Sequence, residues 1–421
     1  MTGRRPVCMT LIISAALLGY GLAQAEQDSL SDDDIFSTEA FDQALSESKV
    51  ADSANRLEYL PGVFFVAEGS AYRAHDAAAT SSDARFFGKA FVKASKADIG
   101  ALYLGYNFNY FLYASASDPG MAAFYGLQAP DPGAIRATLS EFHFSTDIKK
   151  RVFIRVGDQL IKWGASYFWN PVDFINRQKE QAAILSVVDR REGKPGIKLH
   201  LPIGSMNLFY FSDMSRVVAD GKPLNLAETA GHALRFDGVW GGVRLGASGY
   251  VTPGIPERLG FDATGRMLGT DLYGECALTF NNALESAPEI AMSAGGSRLF
   301  GRERNWTLRA EGYYNHQGYG DIALSQLAPG SFTPFFSGKY YGYAEVTGVN
   351  LVRTTTAVSL FTFANLADAS FSTTLQFTID LPGVLPFTVY GRYYGGREDR
   401  EFTQAFGGQA TGGGIRIRAD F

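Results

Sequence analysis

A two-residue alternation of apolar and polar side chains, repeated along most of the chain, places the strongest limit on its fold. From about residue 60 onward the alternation comes in runs of roughly ten residues, separated by turn-forming residues. In the run 371–380, Phe371, Leu375 and Phe377 fall on one face, whereas Thr374 and Gln376 fall on the other. Because successive side chains of a strand point to opposite sides, this pattern predicts many strands with one apolar and one polar face.

The N-terminus has the features of a secretory signal peptide. Arg4 and Arg5 precede the apolar stretch 11–22, and the small-residue site Ala23-Gln24-Ala25 follows. We therefore expect residues 1–25 to be removed on export. Cleavage takes away two arginines and no acidic residue, so the net charge falls from −5 to −7. This balance gives no reason to expect a nucleic-acid partner.

The C-terminus ends inside an alternating run, at an aromatic residue. Ile415, Ile417 and Ala419 alternate with polar residues up to Phe421, a pattern resembling the insertion signal of outer-membrane barrels. Beyond residue 25 no apolar run approaches the ~20 residues of a spanning helix. We therefore predict that residues 59–421 form an all-β transmembrane antiparallel barrel in the outer membrane of a diderm bacterium. Its expected partners are outer-membrane lipid, periplasmic chaperones and the barrel-assembly machinery.

The number of strands follows less directly. We find seventeen candidate strands, whereas bacterial single-chain barrels have even numbers. The barrel is therefore predicted to have 16 strands, with 18 as the alternative. The predicted outer loops are 165–193, 214–230, 252–266, 317–339 and 397–410. Short periplasmic turns are expected near 147, 202–204, 302, 351 and 382–383.

The segment 26–58 precedes the barrel and is strongly acidic. It holds ten acidic residues against Lys49 and Arg56, with weak helical spacing of its apolar residues. One interpretation is a disordered periplasmic tail. The other is a plug whose acidic side chains meet arginines in the pore.

If the apolar faces meet lipid, the opposite faces line the lumen. Arg or Lys facing lipid at mid-depth would cost about 2–4 kcal/mol, so charges on the other face support this assignment. Arginine slightly outnumbers acid there, which indicates anionic or polar solutes; cross-strand ion pairs are the alternative role. The predicted pore-lining residues are Arg155, Gln159, Arg235, Arg244, Arg309, Glu311, Glu345, Arg392, Arg416 and Arg418.

Residues 155–173 carry a recognisable motif. The stretch 155–164 (RVGDQLIKWG) and the stretch 168–173 (FWNPVD) form a G-x-Q-x-x-x-W-G…N-P-x-D pattern. This pattern resembles porin-like outer-membrane proteins of the alginate-export type and their uncharacterised relatives. The resemblance covers residues 150–200 well and the rest of the chain only by its alternation. It implies that the strand ending at Trp163-Gly164 leads into a loop that folds inward and narrows the pore.

The loop 165–193 agrees with that expectation, because a loop that is only exposed to solvent does not need the two adjacent large aromatic residues Phe168 and Trp169. The predicted constriction residues are Phe168, Trp169, Asp173, Arg177, Lys179, Arg190 and Arg191. Long-chain fatty-acid transporters are an alternative family of similar size. Their Asn-Pro-Ala motif near the N-terminus is absent, and Asn170-Pro171 comes much later.

The sequence offers no catalytic, metal or cofactor motif: its five histidines are scattered, with no nucleophile pattern nearby. We therefore expect neither an enzyme nor a cofactor. A channel for small polar solutes, with anions among the candidates, is the favoured function. A plugged transporter for hydrophobic substrates and a structural or adhesin barrel are the alternatives.

Overall fold

Eighteen β-strands make up most of the described part of the computed structural model. The structure describes residues 56–76, 80–114, 133, 135–176, 191–216, 229–280, 287–301, 305–323, 326, 332–351, 355–380, 385–404 and 407–421. The strands are β1 (Glu58–Ala74), β2 (Ser81–Lys96), β3 (Gly100–Ala114), β4 (Ile135–Ile148), β5 (Val152–Gln159), β6 (Lys194–Ile203), β7 (Met206–Asp213), β8 (Gly231–Trp240), β9 (Val243–Thr252), β10 (Ile255–Met267), β11 (Thr270–Phe280), β12 (Glu289–Phe300), β13 (Trp306–Asn315), β14 (Tyr340–Val349), β15 (Thr355–Asn365), β16 (Ser370–Asp380), β17 (Phe387–Gly395) and β18 (Ala410–Asp420). Within these residues we find no helix with the length and apolar character needed to cross a membrane.

The strands form one closed antiparallel barrel. Each strand pairs with its neighbours in sequence, and β18 pairs with β1 to close the sheet. The closure reaches the last residue, because Val63 and Phe421 exchange two backbone hydrogen bonds of 2.9 and 2.8 Å. A closed sheet satisfies its backbone groups within the wall, which is the condition for strands in a bilayer.

The two faces of the wall differ as the alternation predicts. On β16, the outward Leu375 and Phe377 are 42% and 45% exposed, whereas the inward Ser372 and Thr374 are 3% and 1% exposed. Apolar outward and polar inward faces are those of a membrane barrel with a polar interior. The prediction of an all-β antiparallel barrel is confirmed.

The preferred count of 16 strands is wrong, and the alternative count of 18 is correct. The strand that the sequence pattern does not predict is β10, because the pattern predicts an outer loop over 252–266. This stretch contains Pro256, near a register irregularity, and Gly260 and Gly265, all of which weaken a strand pattern. The turn before it is only two residues long, Pro253 and Gly254. Tight strand pairing with β9 and β11 nevertheless holds the segment in the wall.

The connections divide the barrel into a turn end and a loop end. The turn end carries the C-terminus and short connections such as Gly241-Gly242, whose φ values of +58° and +83° suit a tight hairpin turn. The loop end carries the long connections 115–134, 160–193, 214–230, 316–339 and 396–409. Once β10 is included, the predicted turns and the remaining predicted outer loops fall at the two ends consistently.

Candidate functional site: a loop folded into the lumen

The connection after β5, described for residues 160–176, folds inward against the inner wall. We call this segment the constriction loop. It begins where Gln159 ends β5 and the chain leaves the sheet, and its apolar side chains bury themselves on the wall. Trp169 and Val172 are fully buried, and Ile175 is nearly so.

The constriction loop packs on the wall in two places. Phe168 and Trp169 belong to an aromatic cluster with Tyr313, Tyr341 and Phe363 of β13 to β15. The Trp169 and Tyr313 rings stack at 5.6 Å between centroids, with an angle of 8°.

The second cluster joins Ile161, Trp163 and Val172 of the loop to Phe211 and Ala277, among other residues of β7 to β11. The loop therefore lies against the sector of the wall from β7 to β15.

A glycine on the wall makes room for this packing. A Cβ at Gly260 of β10 would stand 2.7 Å from the Val172 side chain and 2.9 Å from that of Phe174. Either distance is too short for carbon atoms in contact. The glycine that weakened the strand pattern of β10 thus lets the loop approach the wall.

The first anchor of the constriction loop is Glu275 of β11. Its carboxylate accepts backbone N–H groups from Ala165, from Ser166 at 2.6 Å and from Val172 at 3.2 Å. Gly164 precedes these donors with φ +102°, and a Cβ there would meet the Glu275 carboxylate. The glycine of the Trp163-Gly164 motif therefore brings the loop backbone up to its anchor.

The second anchor is Glu311 of β13. It accepts backbone N–H groups from Tyr167 at 2.9 Å, Phe168 at 3.1 Å and Trp169 at 2.7 Å. The Tyr273 hydroxyl donates to the same carboxylate at 2.6 Å. Five consecutive backbone N–H groups, 165–169, thus bind two wall carboxylates. Buried carboxylates that receive several donors hold a backbone firmly, because each such bond is charge-assisted.

An ion pair fixes the later part of the constriction loop. Arg191 and Asp173 lie 2.6 Å apart, with side chains 3% and 6% exposed. Asn176 donates to Asp173 at 3.2 Å and accepts from the Ile161 backbone N–H at 3.4 Å. Arg191 stands just before β6, so this cluster ties the start of the loop to the return of the chain.

The rest of the inner wall, from β16 through β1 to β6, carries cationic side chains. Lys89 pairs with Glu141 at 3.3 Å, and Lys198 lies 5.5 Å from the Phe209 ring centroid. Further cationic side chains there are Arg155, bound to Ser145 at 3.0 Å, Arg392, bound to Thr374 at 2.8 Å, and Arg85 and Arg416, bound to Glu68 at 2.7 and 3.0 Å.

All ten predicted pore-lining residues lie on inward-facing positions of their strands. Four of them are held by carboxylates: Arg235 by Asp262 at 2.6 Å, Arg309 by Glu345 at 2.6 Å, Arg416 by Glu68 at 3.0 Å and Arg418 by Asp420 at 3.0 Å. Arg244 lies near the turn end, half exposed and 3.9 Å from Asp237. Gln159 donates its amide to wall carbonyls, including that of Gly196 at 3.2 Å. Their role in solute passage stays a prediction.

The predicted constriction residues are placed in part. Phe168, Trp169, Asp173 and Arg191 belong to the loop contacts above, whereas Arg177, Lys179 and Arg190 lie outside the described residues. The sequence did not single out Tyr167, which is 38% exposed and has the Arg309 guanidinium 3.6 Å from its ring centroid. It also did not identify Glu275 and Glu311 as loop anchors, although both stood on predicted polar faces.

No protein-family model and no curated protein sequence matches the chain. Several solved structures share its fold. OccAB1 of Acinetobacter baumannii superposes with a TM-score of 0.52 at 10% identity, covering 89% of this chain and 99% of that one. OccK2 (OpdF) of Pseudomonas aeruginosa gives a TM-score of 0.54 at 10% identity, over 86% and 98% of the two chains. OccK5 (OpdH) of the same organism gives 0.53 at 7% identity, with the same coverage. At identities of 10% or less, these likenesses show the fold: the chain shares the large β-barrel architecture of these proteins.

Proposed function

We propose that the protein is an outer-membrane channel for small polar solutes, with a preference for anions. The observation that carries the proposal is the division of the lumen. The constriction loop lies on the wall from β7 to β15, and a cation-bearing wall faces it. Anions passing between the two would face a wall on which Arg155 and Arg392 bind hydroxyl groups, whereas the carboxylates Glu275 and Glu311 of the opposite wall are engaged by loop N–H groups.

The fold supports the same proposal. Its outward face is apolar, its inward face is polar, and the solved barrels of similar fold are porins. A polar lumen in a barrel of this size is suited to conducting water and dissolved solutes. We infer an outer-membrane location, lipid contact, and insertion through chaperones and the assembly machinery by the terminal strand ending at Phe421.

The resemblance to alginate-export-type proteins is carried mainly by the motif 155–173. The motif has a structural reason in this barrel, because Gly164 lies against Glu275 and Asp173 pairs with Arg191. Both contacts serve the position of the constriction loop rather than the choice of solute. Membership of that family stays a prediction.

The test is single-channel conductance of the refolded mature protein in a planar bilayer, with and without residues 26–58. Stable openings in both forms would support the proposal if the reversal potential in a salt gradient has the sign expected for an anion-selective channel. Openings that appear only after truncation would identify 26–58 as a plug and favour gated transport. If neither form shows channel openings although heat-modifiable gel mobility confirms that both are folded, the channel proposal is contradicted. That result would favour a carrier of hydrophobic substrates or a closed barrel.

A further inference from the structure

A wholly buried carboxylate ties together the connections at the loop end. Glu401, between β17 and β18, is 0% exposed. It accepts the backbone N–H of Phe335, the Tyr341 hydroxyl at 2.7 Å, the Asn365 amide at 2.8 Å and the Tyr319 hydroxyl at 3.2 Å. These donors come from the connection 316–339 and from β14 and β15. One side chain thus joins two long connections to the barrel wall.

Phe335 links this carboxylate to the constriction loop. Its N–H binds Glu401, and its carbonyl accepts the Trp169 indole N–H at 2.8 Å. Its ring lies 5.3 Å from those of Phe363 and Phe402. Movement of Glu401 would therefore displace Phe335 and, through it, Trp169 of the constriction loop.

The backbone of Phe335 is itself strained. Its φ is +67° although the side chain is bulky and only 2% exposed. Bulky residues occupy this region rarely, and only where surrounding contacts hold them. The bonds on either side of Phe335, to Glu401 and to Trp169, are among the contacts that hold it. Loss of either would favour relaxation of the segment.

The electrostatic surroundings of Glu401 disfavour its charge. The titratable and charged groups around it are Tyr319, Tyr341, Asp368 and Arg400. Asp368 accepts the Glu401 backbone N–H at 3.0 Å, while Arg400 pairs with Asp321 at 2.8 Å. Burial, reinforced by the charge of Asp368, raises the pKa of Glu401 to about 7, although its hydrogen-bond donors act in the opposite direction.

We propose that Glu401 and Phe335 form a proton-sensitive latch that holds the constriction loop in its lumen-narrowing position. The inference rests on the proposed channel function for its consequence, but not for its structural test. Both are positioning residues, because they act on solutes through Trp169 and the loop.

The direction of the pH effect follows from the raised pKa. In the latched state Glu401 is protonated up to about pH 7, whereas a released, solvated carboxyl would ionise near its ordinary value of 4.5. Latched and released states are equally protonated below about pH 4.5, so the latch is strongest there. Between about pH 4.5 and pH 7 the ratio of latched to released protein falls on the order of 10²-fold, and it levels off above. Acid therefore tightens the constriction and neutral pH loosens it.

The experiment follows Trp169 and the current together, in the full mature protein reconstituted in bilayers. Acrylamide quenching of tryptophan fluorescence is compared with that of Trp169→Phe, so that the difference reports Trp169. We expect both quenching and conductance to rise between pH 4.5 and 7. Glu401→Gln should abolish the rise, whereas Glu398→Gln, an exposed change of equal charge on the same connection, should retain it.

Tyr341→Phe supplies a second variant that keeps the carboxyl group. It removes a donor to the carboxylate, so the rise should extend to higher pH. Where Glu401→Gln fails the heat-modifiability check for folding, an unshifted rise in Tyr341→Phe overturns the latch. A rise that persists in folded Glu401→Gln also overturns it, as does a pH-independent exposure of Trp169 in a conducting wild type. A rise in quenching without any current supports the latch and contradicts the channel.

Discussion

Replacing Glu311 by glutamine should free the middle of the constriction loop. The carboxylate binds three consecutive backbone N–H groups and the Tyr273 hydroxyl. Glutamine keeps one oxygen and places an NH₂ group where the other stood. In its better orientation the oxygen occupies the Oε2 position, and the Trp169 N–H loses its acceptor and faces another donor.

The size of the effect follows from the bond that is lost. A hydrogen bond to a charged group contributes about 1.5–3 kcal/mol, which corresponds to about a 10- to 150-fold fall in the ratio of docked to displaced loop. Glu275 and the Asp173–Arg191 pair still hold the neighbouring residues. We therefore expect larger mean conductance and more open-channel noise rather than loss of the barrel.

Single-channel recording in a planar bilayer measures this directly, and Glu68→Gln is the matched control. Glu68 is another buried inward carboxylate, held by Arg85, Arg416 and Tyr390 on the opposite wall. The Glu68→Gln substitution removes the same charge from the lumen, and Glu68 does not bind the constriction loop. If Glu311→Gln and Glu68→Gln give the same conductance and noise, the anchoring role of Glu311 is wrong.

Three further outcomes test the wall, the barrel and its assembly. Replacing Arg155 and Arg392 together by glutamine should shift the reversal potential in a salt gradient toward cations, and an unchanged potential would contradict the anion preference. Gly157→Ala should cost about 1–3 kcal/mol or more and lower the temperature of heat-modifiable unfolding, because φ is +125° and a Cβ would stand 2.2 Å from a neighbouring main-chain oxygen. Gly391→Ala, with nothing within 4 Å of its Cβ position, should have little effect, and equal losses would refute the steric argument. Phe421→Ala should slow insertion into vesicles that contain assembly machinery, and normal insertion would mean that the terminal aromatic residue is not the signal.

The wall of the barrel was largely predictable, because successive side chains of a strand alternate between its two faces and so repeat in the sequence with a period of two. The inward positions of Arg309 and Arg392 and the outward positions of Leu375 and Phe377 follow from that local pattern. The predicted number of strands was wrong because β10 was not recognised, since Pro256 and Gly260 weaken the strand pattern there. Pairing with two neighbouring strands overrides that weakness, and pairing depends on the whole sheet rather than on the segment.

The sequence by itself determined the barrel class, the faces of most strands, and an apolar, aromatic loop after Trp163-Gly164. Only the tertiary structure decided what holds that loop and what could release it. Glu311 meets the Trp169 N–H across 142 positions of the chain, and Glu401 meets Phe335 across 66. Such contacts exist only after the sheet has closed and brought its inner faces together. No local period in the sequence encodes these contacts. The pattern of an inward-facing carboxylate is the same whether its side chain is exposed to water in the lumen or binds a loop.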